Sequence, residues 1–262
     1  MSMDGLKLKL GRATDEHDLD GVPRTAYRQG PGPALPGLDI WNAYEAGFLL
    51  THGGACSGLL RIIYSAESPA IVESKSLKLF LNHLQQQVFV DLDAYLQCVS
   101  CAVRACVGMD VSATWTPSHE DWERRHLTGS PLDHCVAAVH GNPDHRQLAV
   151  SHEAGTHCFH THLFGSRCPV TGQPDWASVW MHWQGDLGLT EMSLLSYLLS
   201  YRDLGEFHES CCDRIATDLT AVLKPQSLTV ACHFLRRGGI DITPVRWMGA
   251  SKTYDFYPTW RQ

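Results

Sequence analysis

The sequence predicts an α+β protein made of two modules. Apolar strings of period two and of period 3.6 both occur, as strands and helices require. They recur in the same order in each half: strand, strand, helix, helix, strand. Between the halves, near 115–150, lies the polar, proline-containing stretch WTPSHEDWERRHLTGSPLDH. The 262 residues suit one large domain or two modules of roughly 100–130 residues. The expected division is an N-terminal arm over 1–38, a first module over 39–130 and a second over 131–262.

Within the arm, GPGPALPG (30–37) places proline or glycine too often for a helix and reads as extended. IWNAYEAGFLL (40–50) is apolar and aromatic enough for a buried strand, and LLRIIYSAES (59–68) is a second. After Pro69, IVESKSLKLFLNHLQ begins extended, then sets Leu77, Phe80, Leu81 and Leu84 at helical spacing. VFVDLDAYLQCVSCAVRACV (88–107) reads as a helix, and CVAAVH (135–140) as a possible strand. In the second half WASVWMHWQG (176–185) alternates like a strand, and 189–223 holds two helices split near Gly205. LTVACHFLRRGG (228–239) is a strand that turns into IDITPVRW.

A hydrophobic fraction of 44% against 19% charged residues supplies a globular core. Acidic residues number 28 against 21 basic ones, so no strong positive field draws a nucleic-acid backbone. The N-terminus has no signal-peptide core, and no window reaches the ~18 apolar residues of a membrane span. A cytoplasmic protein is expected, with its ten cysteines reduced.

Four segments carry candidate chemistry. In SRCPVTGQPDW (166–176), Cys168 precedes a proline, and Gly172 and Pro174 can bend the chain so that Asp175 returns toward the thiol. A thiolate attacks electrophilic carbon and a carboxyl group moves the protons. The plainer reading is a buried cysteine beside an Asx turn. In GEFHES (205–210), His208 and Glu209 diverge by about 100° if helical, and a carboxylate there can accept two N–H bonds from a flat amidine-like edge. A satisfied histidine on a half-exposed helix fits the pattern too. In VESKSLK (72–78), Glu73 and Lys75 share a face if extended, and Ser74 or Ser76 can cap the helix that follows. In LRRGG (235–239), two arginines before a Gly-Gly turn can meet a phosphate, or can be solvated at a hairpin.

No GxGxxG or GxxxxGK[ST] pattern supports a Rossmann or P-loop site. Cys98, Cys101 and Cys106 are candidate metal ligands but lack a second matching pair. His152, His157, Cys158, His160 and His162 form a dense run, but HEAGTH misses the HExxH spacing. No metal is expected.

Together VESKSLKLFLN, HLFGSRCPVTGQPDW, EFHESC and RRGGIDITP, with DIWNAYE upstream, resemble the NADPH-dependent 7-cyano-7-deazaguanine reductases in their two-module form. These are the nitrile reductases of queuosine synthesis, a tRNA modification. The resemblance covers most of the chain in unchanged block order. It implies two tandem tunnelling-fold modules, antiparallel sheets with helices on one face, and a homodimer. It implies Cys168 as the nucleophile that forms a thioimide with the nitrile, and Asp175 as the acid/base. Val72, Glu73, Ser74, Phe207, His208 and Glu209 would contact the deazapurine. Ser74, Lys75, Arg236, Arg237 and Gly238 would hold NADPH. The substrate is a free base, so no direct nucleic-acid contact is implied. His233 and Gly165 depart from the family pattern, and 108–150 matches no motif. The rival readings are a tunnelling-fold enzyme of non-redox chemistry (amidino transfer or a cyclohydrolase-type reaction) and a metal-buffering protein.

Overall fold

The computed structural model describes residues 19–27, 35–138, 141–250 and 257–262. Most of the expected arm, the last two residues of CVAAVH (139–140) and part of the C-terminal tail lie outside these residues. The chain is α+β, as expected, and divides into two compact units. One is built on Leu38–Glu123 with Arg236–Ile242, the other on Arg124–Leu235 with Thr243–Gln262.

The first unit opens with β1 (Gly21–Pro23) and a short 3-10 turn at Arg24–Ala26. Two long strands follow, β2 (Gly37–Leu50) and β3 (Gly54–Ser65), paired antiparallel with a bulge between Ala43 and Ala46. β4 (Ala70–Val72) pairs with β1. Helix α1 (Ser74–Leu84) buries Leu77, Phe80, Leu81 and Leu84, the spacing read from the sequence. The segment 88–107 is not one helix: β5 (Val88–Phe89) comes first, and α2 (Leu92–Val107) starts only after Asp91, whose carboxylate accepts the Ala94 N–H at 2.8 Å. A short polar side chain that caps outcompetes helix continuation at that point. Gly108, at φ 73°, ends α2 in the left-handed conformation that glycine adopts without Cβ strain. β6 (Val111–Pro117), which the sequence reading missed, pairs with β3. Val111, Ala113 and Trp115 alternate in it with Ser112, Thr114 and Thr116. Tyr95 of α2 stacks on Phe48 of β2 at 4.5 Å and meets Trp115 of β6 edge-on at 5.6 Å, which fastens helix to sheet.

In the second unit β7 (Ser130–Pro131) is followed by β8 (Val150–Ser151) and the long strand β9 (Gly155–Arg167). Cys135–Ala138 is irregular chain beginning in a turn, not a strand. β9 returns as β10 (Pro174–Gly185), which pairs on its other side with β12 (Ser227–Arg237), all antiparallel. Between them run β11 (Gly188–Leu189), α3 (Glu191–Leu199), a 3-10 turn and α4 (His208–Leu223). β13 (Ile240–Met248) completes the chain's hairpin with β12. Alternate residues Leu228, Val230, Cys232 and Phe234 of β12 join Leu194, Leu195 and Leu198 of α3 in one core. Ile215, Ala216 and Leu219 of α4 complete it. That single apolar layer holds the α4 N-terminus against the β9–β10 hairpin. No helix among the described residues is long and apolar enough to cross a membrane.

Candidate active site

In the second unit the β9–β10 hairpin builds the site. Ser166 stands opposite Asp175 and Arg167 opposite Pro174. Cys168 lies just beyond, where its N–H donates to Gln173 O at 2.8 Å and its carbonyl accepts from Gly172 N–H at 2.9 Å. Gly172 sits at φ 70°, so glycine is what lets Pro169–Gly172 turn back within four residues. The bend read from the sequence is therefore present. The arm of the hairpin is stitched to the approach of α4: Arg167 N–H donates to Leu204 O at 2.8 Å, and Glu206 N–H to Arg167 O at 3.1 Å. This pairing sets EFHE beside the cysteine turn.

Asp175 is buried and its carboxylate lies 3.3 Å from His208 Nε2. The His208 ring stacks on Phe234 at 3.8 Å, which fixes its plane. Phe207 occupies the N-cap position of α4 without a side-chain capping bond, and His208 and Glu209 open its first turn. Glu209 is 2% exposed. The helix N-terminus favours a negative charge there. Cys168 is half-buried, whereas burial pushes the Cys211 and Cys232 thiols well up and leaves them protonated. Trp176 lies over Gly165, where an added Cβ would come within 3.1 Å of the indole. The glycine is thus a seat for the ring at one of the two positions that depart from the family pattern. The other, His233, is buried with Nδ1 3.1 Å from Gln262 Oε1, and burial lowers its pKa to about 4.

The first unit carries the remaining predicted residues. Neither Ser74 nor Ser76 caps α1. Glu73 does, its carboxylate accepting the N–H groups of Lys75 at 3.0 Å and Ser76 at 2.7 Å. Ser76 Oγ instead donates to Glu73 O and accepts the Asp20 N–H. Glu73 and Lys75 do not share an extended face, because Lys75 is already helical. Val72 is buried, while Ser74 and Lys75 are exposed. Arg236, Arg237 and Gly238 sit at the hairpin turn, with Gly238 at φ 64° and Gly239 at φ 84°, as a two-residue turn of this hand requires. Arg236 lies 4.4 Å over the Tyr44 ring, whose hydroxyl donates to Asp241 at 2.6 Å. Asn42 donates to the same carboxylate at 2.8 Å, and burial raises its pKa to about 6.

Sequence reading missed Lys78 and Asn82. With Glu45, Gln85, Gly238 and Gly239 they line a cavity of about 230 Å³. The signal was available: Ser74, Lys78 and Asn82 are spaced by four on α1 and share its face. Cys98, Cys101 and Cys106 lie along α2, and His160 and His162 face each other on β9 at 5.5 Å.

Comparison with known proteins bears on this arrangement. A family model described as "Nitrile reductase, 7-cyano-7-deazaguanine-reductase N-term" matches residues 13–115, and one described as "QueF-like protein" matches 174–253. A protein of Coxiella burnetii (strain RSA 331 / Henzerling II) named NADPH-dependent 7-cyano-7-deazaguanine reductase is 35% identical over 270 residues. That alignment covers 98% of this chain and 97% of the relative. The chain belongs to this family. A similarly named relative from Saccharophagus degradans is 37% identical over 235 residues, 87% of each chain. The two family models fall on the two halves that the strand-and-helix rhythm separated. The first takes in VESKSLK, and the second begins at Pro174 and takes in Asp175, EFHE and RRGG.

Proposed function

We propose that this family member reduces the nitrile of 7-cyano-7-deazaguanine to the aminomethyl group with NADPH, as its relatives are named for doing. Overall, one nitrile, two NADPH and two protons give one primary amine and two NADP⁺. The observation that carries the reading is Cys168, half-buried on a turn hydrogen-bonded at its base, beside the hairpin that holds the buried Asp175–His208 pair.

Cys168 sulfur bonds to the nitrile carbon, opening the C≡N triple bond to a C=N thioimide. Asp175 delivers the proton that the nitrogen gains. Cys168 is released as a thiol when the C–S bond breaks later in the cycle. Glu209 accepts paired N–H bonds from the guanine-like edge, with His208 and Phe207 beside it, and Val72, Glu73 and Ser74 add contacts. His208 also holds Asp175 in place.

The Gly238–Gly239 turn fits a phosphate-bearing cofactor. A Cβ at Gly238 would lie 3.0 Å from Lys78 Cδ and Nζ, so the bare backbone is what leaves room beside that ammonium. Ser74, Lys75, Arg236, Arg237 and Gly238 would hold NADPH, with positive charge and backbone N–H groups meeting its phosphates. NADPH supplies a hydride at each of the two reductions. The family resemblance further supports a cytoplasmic homodimer working on the free base.

The test is an intact mass after incubation with 7-cyano-7-deazaguanine and no cofactor. The wild type is expected to gain one substrate mass, Cys168→Ala none, and NADPH is expected to clear the adduct. A folded, reduced wild type that gains nothing overturns covalent nitrile addition.

A further inference from the structure

A second cluster of chemically able side chains lies in the second unit, on residues that no reading above employs. His134 and Cys135 occupy the turn after β7, and Glu191 is the first residue of α3. Cys135 Sγ is 3.4 Å from Glu191 Oε2, and His134 Nε2 is 3.6 Å from that same oxygen. The three ligand atoms lie within 4.8 Å of one another. Tetrahedral zinc, with Zn–S of about 2.3 Å and Zn–N and Zn–O of about 2.0–2.1 Å, places sulfur about 3.5 Å and nitrogen about 3.3 Å from a shared oxygen ligand. Both contacts are near the separations of ligands on one ion.

The turn is also built to hold its shape. Leu132 is fully buried, its N–H donates to His160 O at 2.8 Å, and its carbonyl accepts the Cys135 N–H at 3.0 Å. The Asp133 carboxylate accepts the His162 N–H at 3.0 and 3.2 Å. Glu191 is fixed at a helix start. The two ligand-bearing segments, 56 residues apart in sequence, are thus positioned by backbone bonds that do not use the ligand atoms.

We infer that His134, Cys135 and Glu191 form a three-ligand site for zinc or a similar borderline divalent ion, fastening the 132–135 turn to the start of α3. The donor set decides the class: a thiolate and an imidazole suit zinc, whereas calcium and magnesium require oxygen ligands. The imidazole and carboxylate side chains are 64% and 42% exposed, which leaves the fourth position to water. Binding releases the Cys135 thiol proton to solvent and breaks no other covalent bond.

The experiment uses the full chain, reduced and stripped of metal by a chelator, titrated with Co²⁺ and then Zn²⁺. One equivalent of cobalt is expected to give a thiolate-to-cobalt charge-transfer band and the intense visible absorption of four-coordinate cobalt, both abolished by one equivalent of zinc. Cys135→Ser is expected to lose the charge-transfer band. It, His134→Ala and Glu191→Gln are each expected to weaken zinc binding at least about tenfold, the scale seen even for outer-shell losses. The His134 side chain is exposed, so its truncation keeps the fold, checked by an unchanged far-ultraviolet circular dichroism spectrum. Cys168→Ala and Cys158→Ser are expected to keep the band. No charge-transfer band in the wild type overturns the site, as does a band lost with Cys168 or Cys158 but kept without Cys135.

Discussion

Replacing His233 by asparagine isolates a pH dependence that the fold imposes on the second unit. His233 is 1% exposed on β12, and burial lowers its pKa from 6.5 to about 4. Because the folded value is depressed, the neutral ring stabilises the fold fully above pH 6.5. That contribution is lost as pH falls toward 4, since the unfolded chain takes up the proton first. The full swing is about 3 kcal/mol, from about 2.5 units at 1.36 kcal/mol each. Roughly 2 kcal/mol of it is gone by pH 5. Asparagine keeps an N–H where Nδ1 meets Gln262, and Gln262 Oε1 also holds the Thr259 N–H at 3.0 Å. The hydrogen bond survives and the titration disappears.

The missing ring atoms leave a void costing roughly 1–2 kcal/mol at every pH. The variant is therefore less stable than the wild type at pH 8 by that amount, and the gap closes or reverses at pH 5. The comparison has to be made as a difference. Asp241, raised to about 6, works in the opposite sense: its contribution is favourable below pH 3.8 and is lost as pH rises through 6. It is common to both proteins and cancels. Urea unfolding at pH 8, 7, 6 and 5, followed by tryptophan fluorescence at one protein concentration, reads the gap. A gap constant within about 0.5 kcal/mol from pH 8 to 5 would refute the claim that His233 is held neutral by burial.

Three further substitutions test the site. Gly238→Ala forces a side chain onto φ 64° against Lys78, costing about 1–2 kcal/mol locally, and steady-state kinetics should show a several-fold rise in the KM for NADPH while the Cys168 adduct still forms. Unchanged KM would separate the turn from the cofactor. Asp175→Asn should cut kcat by about 10²–10⁴ with little change in deazapurine affinity, because the amide keeps the shape and loses the proton; a wild-type kcat would remove the acid/base role. Glu73→Ala removes both capping bonds of α1 and should lower stability by about 1 kcal/mol in urea unfolding, with Glu73→Asp recovering part of it. A stability equal to wild type would mean that water caps the helix equally well.

The elements most legible in the sequence are those whose pattern and packing agree. Leu77, Phe80, Leu81 and Leu84 announce α1 because that face is the one buried, and CPVTGQPD announces its bend because Gly172 takes the positive φ that the turn demands. Where a local side chain overrides the pattern, periodicity misleads. Asp91 interrupts an apolar run that continues on both sides, and Glu73 takes a cap that serine usually fills, since its longer carboxylate reaches two N–H groups at once. β6 went unread although Val111, Ala113 and Trp115 alternate with Ser112, Thr114 and Thr116, because the strand runs straight into the polar, proline-containing stretch that reads as a boundary.

The site divides along the same physical line. Cys168 and Asp175 lie seven residues apart, so local turn chemistry alone brings them to one hairpin. His208 reaches Asp175 across 32 intervening positions, and that approach depends on Arg167 bonding to Leu204 and Glu206 through backbone groups, which carry no residue signature. The same holds for Cys135 and Glu191. Composition flagged the dense His/Cys run at 152–162, yet the closest group of ligand atoms among the described residues joins an isolated turn to a helix start. Ligand richness in sequence measures how many donors are near each other along the chain. Coordination needs donors whose backbones converge from different elements, and only tertiary hydrogen bonds such as Leu132 to His160 decide which ones do.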